Sequence, residues 1–285
     1  MERGALLESS HRVHAVAVRG GVRAGAWGDP GLVTFMRSAA KPFQALPAAE
    51  LDLPTEELAI ACASHGASDE QLKAVRALLA RSGSSEDDLE CGPEGGSRLR
   101  HNCSGKHAGA LAVCAARGWP CSGYRLLDHP FQREVLEIVA EAAEHPVVEM
   151  ATATDGCGFV TFGLPLEGMA RMFSRLVRGE LRGAGRVVTA MTAHPQLVEG
   201  RGWAATEVMQ GLPGAVAKGG AEGLLCVGLP DGTGYALKVE DGAARATLPA
   251  AGEILGLPAL AETRVRNSRG EEVGKIRPSP FLDQL

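Results

Sequence analysis

Apolar residues follow a strand-like pattern near both ends of the chain. Residues 13–36 include Val18 and Val33 among other β-branched positions, set between glycine and aspartate turn residues. Strand character returns at 223–229, and again at 235–239 after an Asp-Gly-Thr-Gly turn. These runs predict β-strands at the beginning and toward the end of the chain.

Between the two strand regions, apolar residues recur at helical spacing. Ser68 and Gln71 form a capping box, and Leu72 and Val75 begin one apolar face of the helix that follows. Further helices are predicted at 38–50 (interrupted by two prolines), at 105–117, from a cap at Asp128, near 165–178, near 183–193 and at 242–255.

This order of elements indicates the fold class. Strands, a long helical middle at about 66–205, then strands and a helix predict an α+β sandwich. In such a sandwich, both ends of the chain build one sheet. Because no linker and no internal repeat interrupts the pattern, we expect one domain over residues 1–285.

Composition narrows the class of protein. Hydrophobic residues make up 45% of the chain, which is ordinary for a folded protein, and the net charge of −5 disfavours a nucleic-acid partner. No apolar stretch reaches the roughly 18 residues that a membrane span needs, and the N-terminus has no secretory pattern. Seven cysteines cannot all pair within one chain, so we expect reduced thiols in the cytoplasm.

Ser38 and Lys41 form a Ser-x-x-Lys motif. Three residues apart on a helix, their Oγ and Nζ atoms face the same way and can meet. A lysine can activate a serine only when it is neutral, and burial favours the neutral amine. The same motif holds the nucleophile of serine β-lactamases and penicillin-binding proteins. Taken alone it fits better a serine at a helix start followed by a surface lysine, since so short a motif often arises by chance.

Four more segments gather versatile side chains. They are Cys62-Ala63-Ser64-His65, His101-Asn102-Cys103-Ser104-Gly105-Lys106-His107, Thr154-Asp155-Gly156-Cys157-Gly158 and Lys218-Gly219-Gly220. The second suggests a metal but matches no standard zinc spacing, so its residues alone favour a structural role. The glycines beside Cys157 permit a close backbone approach, and Lys218 before a glycine pair is ordinarily part of a turn.

Taken together, these segments resemble the asparaginase II family, the rhizobial-type or class 3 L-asparaginases. That family shares a fold with serine β-lactamases and glutaminases. The matching stretches follow one order along nearly the whole chain: 8–12, 37–47, 62–65, 101–107, 154–158, 194–195, 218–223 and 274–278. The chain is shorter than many members of the family, and we expect the difference to affect lid or substrate-selecting loops, and so specificity more than chemistry.

The resemblance implies a role for each matching residue. Ser38 is expected to be the nucleophile and Lys41 its activating partner, while Ser64 and Lys218 form a second Ser–Lys pair that supports proton transfer. The expected substrate-binding residues are Arg37, His65, Asp155 and His107.

The resemblance also implies a metal, usually zinc, with Cys103, Lys106 and Cys157 as ligands and water as the fourth. Asp155 is expected near that water and His107 beside the site. Lys106 can bind zinc only after losing its proton, so the site should weaken as pH falls. Because the Ser–Lys pair already supplies a nucleophile, we expect the metal to orient the substrate or shape the site.

The implied activity is hydrolysis of L-asparagine to L-aspartate and ammonia by a cytoplasmic homodimer without an organic cofactor. A glutaminase or another small-amide hydrolase on the same fold is the alternative in substrate. A penicillin-recognising hydrolase is disfavoured because the chain lacks Ser-Asp-Asn and a secretory pattern. A non-catalytic zinc- or amino-acid-binding protein is disfavoured because a binder needs no paired nucleophile and base.

Overall fold

The structure is a computed structural model that describes residues 1–279. Its strands are β1 (Glu2–Arg3), β2 (Leu6–Leu7), β3 (Val13–Arg19), β4 (Val22–Trp27), β5 (Val33–Phe35), β6 (Ala151–Thr154), β7 (Val160–Pro165), β8 (Val216–Gly220), β9 (Leu224–Gly228), β10 (Thr233–Val239), β11 (Thr263–Arg266) and β12 (Glu272–Ile276). Its helices are α1 (Lys41–Gln44), α2 (Leu46–Ala49), α3 (Thr55–Ala61), α4 (Asp69–Arg81), α5 (Ser104–Arg117), α6 (Pro130–Ala143), α7 (Leu166–Val177), α8 (Ala184–Ala193), α9 (Pro195–Val198), α10 (Ala204–Gly211) and α11 (Thr247–Ile254). Short 3₁₀ turns lie at Arg37–Ala40, Glu86–Asp88, Val147–Glu149 and Ala244–Ala246.

The strands form antiparallel sheets in a mixed α and β architecture. The largest sheet has the order β4-β3-β10-β9-β8, so strands from both ends of the chain lie side by side, as predicted. A second sheet has the order β5-β7-β6, and a small third sheet, β11-β12-β1-β2, again joins the two ends. Pairing of β3 with β10 is the link that brings the early and late segments together.

The largest sheet is covered on both faces. Helix α7 packs so closely on one face that a Cβ atom on Gly234 would lie 2.0 Å from the carbonyl oxygen of Ala170. On the opposite face, Leu225 and Leu237 lie beside Ala251 of α11. Because both faces are buried, the β3 residues from Ala15 to Val18 are apolar without alternation.

The helical region packs with equally close backbone contacts. A Cβ atom on Gly105 would lie 2.1 Å from the carbonyl oxygen of Ile60, so only glycine lets α5 lie against the end of α3. The predicted capping box is present, with Ser68 and Gln71 bonded reciprocally at the start of α4. Gly118 ends α5 in the left-handed conformation, with φ of 65°.

Several predicted boundaries differ from the structure. The helix expected at 38–50 is a 3₁₀ turn followed by α1 and α2, each with a proline in its first turn. The cap of α6 is His129, whose ring accepts the backbone N–H of Phe131 at 3.1 Å, so the assignment to Asp128 was wrong. The sequence did not predict strands β1, β2, β6, β7, β8, β11 and β12 or helices α3, α9 and α10.

Two expectations concern the extent of the chain. No helix among residues 1–279 is both long and apolar enough to cross a membrane. The single domain was expected to run to residue 285, and 280–285 lie outside the described residues.

Candidate active site

The segment that carries Ser38 is anchored on strand β7. The backbone N–H of Met36 donates to the carbonyl of Phe162 at 2.8 Å, and that of Arg37 donates to Thr161 Oγ1 at 3.0 Å. Arg37 has a φ of +50°, a left-handed conformation that costs a non-glycine residue about 1 kcal/mol or more. The anchored reversal at Arg37 turns the chain from β5 into the 3₁₀ turn on which Ser38 lies.

The hydrogen-bond donors of Ser38 are unpaired within the described residues, although its carbonyl accepts the backbone N–H of Lys41. Within residues 1–279, neither its hydroxyl nor its backbone N–H makes a hydrogen bond. The predicted direct bond between Ser38 and Lys41 is therefore not formed here. The two residues lie three positions apart across a 3₁₀ turn and the start of α1, a spacing that places side chains one above the other.

Lys41 is completely buried. Its Nζ donates to the carbonyl of Ala63 at 2.5 Å and to Ser64 Oγ at 2.8 Å. Burial lowers the pKa of Lys41 from 10.5 to about 8, and the positive charges of Lys218 and Lys106 act in the same direction, against an opposing effect of Cys103. A substantial fraction of neutral amine therefore exists at mildly alkaline pH.

Ser64 joins Lys41 to Lys218. The backbone N–H of Ser64, just after α3, donates to the carbonyl of Val198 at 2.7 Å. Lys218 lies on β8, and its Nζ donates to Ser64 Oγ at 2.9 Å and to the carbonyl of Gly219 at 3.0 Å. The structure thus brings three of the four predicted catalytic residues into one hydrogen-bonded group, with Ser38 on the adjoining turn.

Glu199 belongs to the same group and was not predicted. Its buried carboxylate forms an ion pair with Lys218 and accepts the backbone N–H of Gly219 at 2.9 Å. It directly follows α9, next to the matched residues 194–195. The available sequence signal for a buried carboxylate was a glutamate directly after the apolar residues Leu197 and Val198. Nothing in the sequence linked that glutamate to a lysine on a distant strand.

The predicted metal ligands converge at the start of α5. Lys106 Nζ donates to Cys157 Sγ at 3.1 Å and lies 4.1 Å from the centre of the Phe159 ring. A hydrogen bond from Cys157 lowers the pKa of Cys103 well below its usual range. Burial acts to lower the pKa of Lys106, but the two cysteines and Asp155 outweigh it and raise that pKa. The protonation states of these three buried side chains therefore depend on one another.

The four predicted substrate-binding residues occupy different environments. Arg37 Nε donates to Asp155 Oδ1 at 2.6 Å, and about a third of the Arg37 side chain is exposed. His65 is buried with its Nε2 2.8 Å from Ser104 Oγ, and burial lowers its pKa to about 4.

His107, the fourth of these residues, is buried between two aromatic rings. Its Nδ1 lies 2.9 Å from the Tyr124 hydroxyl, while its Nε2 has no hydrogen-bond partner within the described chain. The ring packs edge to face against Phe159, with ring centroids 4.5 Å apart. Burial lowers the pKa of His107 well below its usual range.

The donor set at Cys103, Lys106 and Cys157 fits zinc. Two sulfurs and one nitrogen are ligand types that zinc accepts, and three protein ligands leave a position for water. The part of the chain that the structure describes has no group of three or more His, Cys, Asp or Glu residues placed to hold a metal. A metal here would thus depend on Lys106, which donates a hydrogen bond to Cys157 and must lose a proton before it can bind a metal.

In this site, buried Ser64 contacts two lysines, one of which pairs with a carboxylate, and Ser38 lies on the adjoining turn. Paired serines and lysines of this kind are typical of hydrolases with a serine nucleophile. The chain belongs to the L-asparaginase II family, whose sequence pattern matches residues 1–278. This membership supports an amidohydrolase. Among curated proteins, none is significantly similar to the chain in sequence.

Solved structures with a related arrangement are distant in sequence. The crystal structure of Mglu in its native form is 17% identical, with a TM-score of 0.48, over 86% of this chain and 64% of that chain. Mglu in its native form in the presence of 4.3 M NaCl is 18% identical, with a TM-score of 0.49, over 86% of this chain and 61% of that chain. The chain thus spans less than two thirds of the length of either structure.

Proposed function

We propose that the protein is an L-asparaginase that hydrolyses L-asparagine to L-aspartate and ammonia, with Ser38 as nucleophile. The observation that carries the proposal is the fully buried Lys41. It has no carboxylate partner within residues 1–279, it is bonded to Ser64, and it follows the turn that holds Ser38. The chain belongs to the L-asparaginase II family, and burial lowers the pKa of this lysine to about 8. A lysine with such a pKa, close to a serine whose hydroxyl makes no hydrogen bond within the described residues, is suited to activating that serine.

In the acylation half-reaction, neutral Lys41 takes the hydroxyl proton of Ser38 while Oγ attacks the side-chain amide carbon of asparagine. The free backbone N–H of Ser38 is available to stabilise the oxyanion. The tetrahedral intermediate collapses with cleavage of the C–N bond. The proton held by Lys41 passes through Ser64 to the leaving nitrogen, which departs as ammonia.

The deacylation half-reaction reverses these proton transfers with water. Lys41, again neutral, accepts a proton from water as its oxygen attacks the aspartyl ester on Ser38. The ester C–O bond then breaks, and Ser38 regains its proton from Lys41. Aspartate leaves, and neither half-reaction requires an organic cofactor.

Arg37 is proposed to bind the α-carboxylate of the substrate. Its Nε is committed to Asp155, but its terminal N–H groups make no hydrogen bond within the described residues. A guanidinium held at one edge presents its remaining donors in a fixed plane, which suits a carboxylate. We propose that Asp155 positions Arg37, and that His65 and His107 support the site from within.

A zinc ion would be held by Cys103, Lys106 and Cys157, and it would supply a fixed positive charge that helps to orient the substrate. We also propose, from the family resemblance, a single domain with a β-lactamase-like arrangement, assembled as a homodimer in the cytoplasm. The adjacency of β3 and β10 supports the fold proposal. Glutaminase activity is the alternative, because none of the residues assigned to the site above selects the side chain of asparagine over the longer side chain of glutamine.

Ammonia release tests the proposal directly. Purified wild type and Ser38→Ala are compared on L-asparagine and L-glutamine, with and without added zinc, and the exposed Ser122→Ala serves as the matched control. We expect release mainly from asparagine, its loss in Ser38→Ala and its retention in Ser122→Ala. No release by wild type from either amide would refute the proposal, and preferential release from glutamine would replace asparaginase by glutaminase.

A further inference from the structure

The two buried lysines differ in the number of hydrogen-bond acceptors around them. Lys218 Nζ has three: Ser64 Oγ, the carboxylate of Glu199 and the carbonyl of Gly219. An ammonium has three N–H donors and no acceptor site. Every donor of a protonated Lys218 is therefore satisfied inside the protein, and the negative charge of Glu199 balances the positive charge.

Among the residues that the structure describes, Lys41 Nζ has two acceptors, the carbonyl of Ala63 and Ser64 Oγ. A neutral amine has two N–H donors and one lone pair, so two acceptors satisfy it and leave the lone pair unused. A third donor on a protonated Lys41 would have no partner among the described residues. The geometry therefore suits an ammonium at Lys218 and an amine at Lys41.

We propose that Glu199 is a positioning residue that holds Lys218 as an ammonium on Ser64, so that Lys41 is the lysine left neutral to activate Ser38. This inference rests on the proposed function and adds an assignment of roles to its two lysines. Because Ser64 Oγ accepts from both lysines, its own proton is free to be donated to the leaving nitrogen.

Glu199 is itself held in place by a buried network. Gln71 Nε2 donates to the backbone carbonyl of Glu199 at 2.8 Å, while Gln71 Oε1 accepts the backbone N–H groups of Gly66 and Ser68. The cap of α4 therefore fixes the residue that pairs with Lys218. A Cβ atom at Gly219 would lie 2.9 Å from the Glu199 carboxylate, so glycine is what allows the carboxylate to approach β8.

Other charged or titratable groups also act on the two lysines. Around Lys218 these are Cys62, Cys226 and Lys41. Around Lys41 they are Cys62, Cys103, Cys157, Lys106, Lys218, His65 and His107. Glu199 is the one carboxylate within residues 1–279 that hydrogen-bonds to either Nζ. Removing its charge should therefore change which lysine carries the proton, because two nearby like charges disfavour one another.

The kinetic test compares Glu199→Gln and Glu199→Asp with a matched control, Glu57→Gln. Glu57 is also a buried glutamate in an ion pair, with Arg81 Nε at 2.6 Å, but it lies outside the proposed site. We expect Glu199→Gln to lower kcat about 100-fold and to alter its pH profile, with little change in KM for asparagine. Glu199→Asp should recover part of kcat, and Glu57→Gln should lose stability but keep the wild-type pH profile. A wild-type kcat and pH profile in Glu199→Gln would overturn the inference.

A second measurement is independent of turnover. The chain has six lysines, so ¹³Cε-labelled lysine gives a small set of NMR signals that Lys41→Met and Lys218→Met assign. We expect Lys218 to show an ammonium signal at a pH where Lys41 is already an amine, and this order to be lost in Glu199→Gln. The reverse order in wild type would overturn the inference. If wild type released no ammonia, the asparaginase proposal would fail, while these spectra would still decide the role of Glu199.

Discussion

Replacing Lys41 with methionine should separate the stability of the protein from its activity. Burial lowers the pKa of Lys41 from 10.5 to about 8. At about 1.4 kcal/mol for each pKa unit, holding the charged form inside costs about 3 kcal/mol at neutral pH. Methionine removes that cost but leaves the carbonyl of Ala63 without its Lys41 donor and Ser64 Oγ with Lys218 as its remaining lysine donor, at about 1 kcal/mol for each lost bond. We therefore expect Lys41→Met to be more stable than wild type by about 1 kcal/mol at pH 7, and inactive.

The pH dependence of this difference gives the sharper test. Because folding lowers the pKa of Lys41, the unfolded chain binds its proton more tightly than the folded one. The stability of wild type therefore rises relative to Lys41→Met as pH increases from about 8 toward 10.5, by about 2 kcal/mol between pH 7 and 9.5. Activity that needs neutral Lys41 should rise over the lower part of the same range, with a midpoint near pH 8.

Urea unfolding of wild type, Lys41→Met and the exposed-lysine control Lys73→Met at several pH values measures the difference. Lys73→Met accounts for the general effect of removing one lysine charge from the chain. A difference between wild type and Lys41→Met that stayed constant from pH 7 to about 9.5 would refute the reasoning, because Lys41 would then not titrate in the folded protein at the expected pH.

Three further variants test the packing, the cap and the metal site. Gly105→Ala should destabilise the protein by about 3 kcal/mol, because its Cβ would meet the carbonyl of Ile60. Gly185→Ala, in an open helical position, should stabilise it by about 0.5 kcal/mol. Thermal melting of both variants distinguishes a steric clash from an effect of helix propensity. Ser68→Ala should lower the free energy of unfolding by about 1 kcal/mol through loss of the cap of α4, and an unchanged urea midpoint would contradict this. Cys103→Ser should lose zinc that the wild type retains through dialysis, measured by elemental analysis, and equal zinc content in both proteins would argue against the proposed ligands.

The sequence predicts the local parts of the fold best where a single chemical cause determines them. The Ser68–Gln71 cap and the Gly118 stop are examples, because each depends on residues within a few positions. Strand β3 was predicted despite weak alternation, and burial of both sheet faces explains why its pattern is continuous. The sequence pointed to Asp128 because aspartate is a common N-cap residue. The structure instead uses His129, whose imidazole accepts the backbone N–H of Phe131.

The residues of the candidate site could be predicted from motifs and family resemblance, but their pairing could not. The link from Lys41 through Ser64 to Lys218 joins a helix start, a helix end and a late strand. Glu199 lay outside every motif, since its significance comes only from the approach of β8 to the end of α9. Long-range ion pairs of this kind depend on the assembled fold and leave no periodic signal in the sequence.

Identification of the covalent intermediate tests the central claim most directly. The protein is quenched in acid during turnover of L-asparagine, digested and examined by mass spectrometry, with Ser38→Ala as the control. The account predicts an aspartyl ester on the peptide that contains Ser38, and its absence from Ser38→Ala. An ester on Ser64, or one that persists in Ser38→Ala, would contradict the assignment of the nucleophile.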